Sequence, residues 1–125
     1  MNDQISGISN KLKTQFSLPV FEDEIAEDED EKLIDSNSYN CIVYETGDMV
    51  PGESGRSLSQ EIIVCYYSEN RDDVDEQTID IISLISSVKA VTFNRTVKER
   101  LKVKETDRFI DRVNIVFQRM IPIDS

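Results

Sequence analysis

Carboxylates dominate the groups in this chain that could do chemistry: eight of the ten residues from 22 to 31 are Asp or Glu. Paired carboxylates work as general acid and base when a pocket drives their pKa values apart, but no apolar pocket is expected around any of these, and a block of like charges repels itself and stays solvated. Calcium coordination by clustered carboxylates needs alternating ligands around a glycine turn, which EDEIAEDEDE lacks. The chain has no histidine, and no candidate nucleophile has a base beside it. Gly52, Ser54 and Gly55 superficially suggest a phosphate cradle. The segment departs from the GxxxxGK[ST] pattern, however, and does not lead straight into a helix. Cys41 and Cys65 lie on two apolar runs that pair across a hairpin. In a reducing compartment they read as small buried hydrophobes rather than a disulfide. No catalytic residue, cofactor or metal is therefore expected, and the chain reads as a non-enzyme.

The elements that must position these residues centre on that hairpin. YNCIVYET and EIIVCYYS, rich in Ile, Val, Tyr and Cys, flank a segment with three glycines and a proline, which predicts two strands joined by a long projecting loop over 47–60. In the second run Ile62, Val64 and Tyr66 alternate with Ile63, Cys65 and Tyr67, so both faces are apolar and both are expected to be covered. Ahead of the hairpin, Ile5, Ile8, Leu12 and Phe16 recur at helical spacing, predicting a helix over 3–15 that Asn2 or Asp3 caps and Leu18-Pro19 ends. Residues 17–38 read as an acidic loop. Beyond the hairpin, Asp73 and Glu76 form a capping-box pattern, and Val74, Thr78, Ile81, Ile82, Ile85 and Val88 predict a helix over 74–89. An extended run, a polar turn over 105–108 and an alternating strand over 110–121 complete the chain.

At 125 residues the chain is expected to be one domain. The order α-β-β-α-β-β predicts an α+β fold, a mainly antiparallel four-stranded sheet with two helices packed on one face. The net charge of -11 argues against binding a phosphate backbone. No apolar stretch is long enough for a membrane span, and the N-terminus lacks a secretory pattern, so a cytoplasmic origin is expected. Nine acidic residues fall within 22–35, whereas nine of the fourteen Lys and Arg fall within 89–119, giving an acidic half and a basic half.

Four segments resemble the tail terminator, or tail completion, proteins of long-tailed phages. They are the N-terminal helix running into LPVFEDEI, then YNCIVYETGD, then EIIVCYYSENRDD, and finally FNRTVKERLKVKETDRFIDRVNIVFQRMIP. The resemblance implies a structural protein of the virion neck that forms a ring, commonly a hexamer, on the last ring of the tail tube protein. Such a ring ends tube growth and presents a surface to the head connector or head-completion protein. Genomic DNA passes through its lumen without specific binding, which a net acidic subunit favours by repelling phosphate. A head-to-tail ring needs two unlike patches per subunit. Candidates are Met49, Pro51, Gly52, Gly55 and Arg56 on the arm, with Arg95, Lys98, Arg100, Lys102 and Lys104 opposed to Glu22, Asp23 and Glu24 of a neighbour. Head-completion or other neck proteins form one alternative. A small acidic binding or inhibitor protein forms another, from a different class.

Overall fold

The computed structural model describes residues 2–16, 18–22, 39–52, 55–69, 72–102 and 108–122. Helix α1 (Asn2–Gln15) leads to strand β1 (Val20–Glu22), then β2 (Cys41–Pro51), β3 (Ser57–Ser68), helix α2 (Val74–Ser86), β4 (Val91–Lys102) and β5 (Phe109–Pro122). The fold is α+β, and its five strands lie in the order β1-β2-β3-β5-β4. The apolar-on-both-faces run is the middle strand: Ile62, Val64 and Tyr66 are buried under the helices, whereas Ile63, Cys65 and Tyr67 on the other face are only half-buried, so the cover expected there is incomplete. Because β3 and β4 both run antiparallel to β5, they are parallel to each other. Helix α2 is thus the crossover of a split β-α-β unit.

The expected four strands become five because β1 lies inside the segment read as an acidic loop. It pairs parallel to β2, Val20 opposite Ile42 and Phe21 opposite Val43, and Ile42 N–H donates to the Pro19 carbonyl at 2.9 Å. The sheet is therefore mixed. Three residues are too few for alternation to show, which is why the strand is invisible to periodicity.

One face of the sheet carries the main core. Ile42, Tyr44, Ile62, Val64, Tyr66, Val113, Ile115 and Phe117 meet Ile8 and Leu12 of α1 and Ile81 and Ile85 of α2. Apart from Ile42 and Tyr44, these are residues that helical and two-residue spacings picked out. Fully burying each such side chain is worth roughly 1.5–3 kcal/mol, so this layer holds both helices down. The opposite face has a smaller cluster of Tyr39, Cys41 and Ile110, with Phe21 and Tyr67 packed against it. Tyr39 and Tyr67 meet edge to face at 5.6 Å. The two cysteines share this face one step apart in register, Cys41 opposite Tyr67 and Cys65 opposite Val43, and no disulfide joins them.

Helix α2 begins at Val74 as expected, but two details at its ends differ. Asp73 is the N-cap of α2 but makes no side-chain cap hydrogen bond. The helix also ends at Ser86 rather than 89: Ser87 N–H turns back to Leu84 and Val88 N–H to Ile85, and Ala90 then takes φ 65°. Among the described residues no helix is long and apolar enough to cross a membrane.

Candidate assembly surface

The hairpin arm is more ordered than a long loop. Its strands run to Pro51 and resume at Ser57, and a bulge sets Gly47 and Asp48 against Glu61 between the pairs Thr46–Ile62 and Met49–Gln60. The glycine and aspartate that read as a turn signal instead bend the strand and reverse its faces. Gln60 Nε2 donates to the Gly47 carbonyl at 2.9 Å, pinning the bulge. At the tip Gly52 N–H donates to the Ser57 carbonyl at 2.8 Å. A Cβ at Gly52 would lie 2.2 Å from Ser57 Oγ and 3.2 Å from the Ser57 carbonyl oxygen, so a larger residue there would oblige the Ser57 side chain to move. Gly55 has φ 71°, the left-handed conformation glycine adopts freely.

Past the bulge the arm's apolar side chains emerge. Val50 and Met120 flank Ser59 on one row of the sheet, and they are 54% and 55% exposed. Met49 is also exposed, on the other face. Behind this end sits Arg119, only 4% exposed, whose Nε donates to Gln60 Oε1 at 2.7 Å. Burial pushes its guanidinium pKa down from the usual value. Sequence reasoning took Arg119 as part of a basic half, but its register opposite Gln60 turns it inward.

The basic strand behaves differently from the docking patch expected of it. From Thr92 to Arg100 every residue of β4 is exposed. Lys98 already pairs with Asp75 of α2, and Arg100 Nε lies 3.2 Å from Asp111. Both pairs line a charged cleft of about 320 Å³ between α2 and β4–β5. Arg95 and Lys102 have no ion-pair partner among the described residues. Glu22 is exposed on β1, on the far edge of the sheet. Asp23, Glu24 and Lys104 lie outside the described residues, as does the rest of the acidic block.

Two polar clusters had no signal in the sequence. Glu69, 2% exposed, accepts two hydrogen bonds from Arg108 at 2.6 Å and one from Tyr39 N–H at 2.7 Å, while its own N–H donates to Asn40. The Arg108 bonds, aided by Tyr39 against the cost of burial, hold its carboxyl below the usual range. Residues far apart in sequence meet here, so local pattern is silent about them. On the outer face a chain of contacts crosses three strands: Cys65 Sγ–H donates to Asn114 Oδ1 at 3.1 Å, Asn114 Nδ2 donates to Glu99 at 2.6 Å, and Arg112 donates to Glu99 at 2.5 Å. Burial, then the Glu45 charge, push the Cys65 thiol up to about 11. A neutral thiol of this kind is a poor nucleophile. Among the described residues no group of three or more His, Cys, Asp or Glu is placed to hold a metal ion.

Comparison with models of known protein families finds no match, and a search of curated proteins finds no significant relative.

Proposed function

We propose that this chain is a structural subunit of a phage neck, forming a ring that closes the head-proximal end of a tail tube and offers a surface for the head. The observation that carries this reading is the end of the sheet at the hairpin tip, where Val50 and Met120 stand exposed on either side of Ser59, on the face away from the helices. Apolar side chains grouped at one end of a rigid strand layer are what a partner covers. The resemblance of four segments to tail terminators supports the choice of partner, and the net charge of -11 suits a lumen through which DNA must slide. The outer-face thiol, held neutral, agrees with a structural role.

The experiment is fractionation of virion assembly intermediates with a tagged chain. Recovery with isolated tails at one copy-number class supports the reading. Recovery with heads alone favours a head-completion role, and recovery with neither, but with a basic partner, favours the acidic inhibitor.

A further inference from the structure

The sheet's β4 edge has no strand beyond it among the described residues. Half the backbone polar groups of an edge strand point outward, and natural edges of this length are usually guarded by charge. Here the charges obey a rule that guarding does not require. Two antiparallel copies of one strand are related by a two-fold axis normal to the sheet, which keeps each side chain on its own face. Opposed residues must therefore be an even number of positions apart. Centring the axis on Arg95, Lys98, Glu99 or Arg100 sets like charges directly against each other, which destabilises a strand pair. Centring it on Thr96 opposes no charges at all. Centring it on Val97 sets Arg95 against Glu99 twice, Thr96 against Lys98 twice, and Val97 against its own copy.

We infer that β4 pairs antiparallel with β4 of a second copy about Val97, fusing two five-stranded sheets into one of ten strands. The strand is prepared for this register. Val97 is 44% exposed and would be covered by its twin. Lys98 is neutralised from within by Asp75, which removes its diagonal repulsion across the axis. Glu99, fixed by Arg112 and Asn114, is held at the face where Arg95 of the second copy arrives. Hydrogen bonds from Arg112, then from Asn114, keep its carboxyl ionised below the usual range. The contact is isologous and closes at two subunits. It lies on a different surface from the projecting sheet end and does not rest on the neck reading.

Register is tested by crosslinking. Oxidation of the Val97→Cys variant is expected to give a disulfide-linked dimer, because the two copies of this position meet on the axis within disulfide reach. The Leu101→Cys variant is expected to stay unlinked, since its two copies lie about 26 Å apart at about 3.3 Å per residue. The native thiols add little background, Cys41 being buried and Cys65 neutral. Sedimentation equilibrium gives the second arm. Arg95→Glu should weaken the dimer about tenfold through two repulsive pairs, and so should Glu99→Arg. Mixing the two variants should restore dimers, because each then supplies the charge the other lacks. A Val97→Cys protein that stays unlinked, a Leu101→Cys protein that links equally well, or a wild-type chain monomeric at every concentration overturns the inference. Loss of virion assembly without loss of the dimer would leave it standing and bear only on the neck reading.

Discussion

Glu69 shows how a single residue can tie together three distant segments. Its carboxylate joins the end of β3 to Arg108 before β5 and to Tyr39 before β2. Removing one partner of a fully buried ion pair costs about 3–5 kcal/mol. Arg108 keeps 22% side-chain exposure, so Glu69→Ala is expected to cost about 2–3 kcal/mol in urea unfolding. The sign of the pH dependence follows from the lowered native pKa. The unfolded chain binds the proton first as pH falls, so the stabilisation is complete above the ordinary carboxylate pKa. It is lost as pH drops through the lower native one. Glu69→Gln should flatten the acid limb of the stability curve below about pH 4.5, and an unchanged limb would show that other carboxylates set it. Ala90 gives the opposite kind of test. Its φ of 65° carries a Cβ penalty that glycine lacks, against which glycine loses more entropy on folding. Ala90→Gly is expected to leave stability unchanged or raise it by up to about 1 kcal/mol, where an alanine-to-glycine change in a helix would lower it.

At the scale of elements, the parts with a repeating apolar period were legible and the parts without one were not. The Ile8–Leu12 spacing gave α1 its span and buried face, Thr78, Ile81 and Ile85 gave α2 its start and buried face but not its end, and Val113, Ile115 and Phe117 marked the inward side of β5. The hairpin was legible as a hairpin, but Gly47, which read as the start of a loop, is a bulge within a strand. Glycine permits both, and only the partner strand decides. Strand β1 escaped because three residues carry no period, and the missing side-chain bond at Asp73 shows that a capping pattern does not compel the bond. Of the candidate surface, the exposure of Met49 and of β4 was foreseeable from the arm and the charges. The Val50–Ser59–Met120 row depended on strand order, which local pattern does not encode. Replacing residues 52–56 by a two-residue turn should leave the core unaltered, since none of the described residues among them belongs to either buried cluster. Thermal unfolding should shift by less than about 4 °C, equivalent to under about 1 kcal/mol for a domain of this size. If the tip touches a partner, joining of heads to tails should nevertheless fall. Joining at normal yield would place the contact elsewhere on the arm.

For the whole molecule, the division into an acidic and a basic half is real in sequence but only partly available at the surface. Lys98 and Arg100 are engaged with Asp75 and Asp111 of the same chain, and Arg119 is buried. Exposed ion pairs contribute less than about 1 kcal/mol each and are screened beyond about 10 Å at 0.1 M salt. Assembly through the apolar strand end should accordingly survive moderate salt, whereas pairing along β4 should weaken with it. The most direct test of the neck assignment is the length distribution of tails in particles made without this chain, measured by negative-stain electron microscopy. A subunit that ends tube growth leaves tails overlong and unjoined to heads, and supplying the chain restores uniform length. Tails of normal length attached to heads in its absence would contradict the assignment.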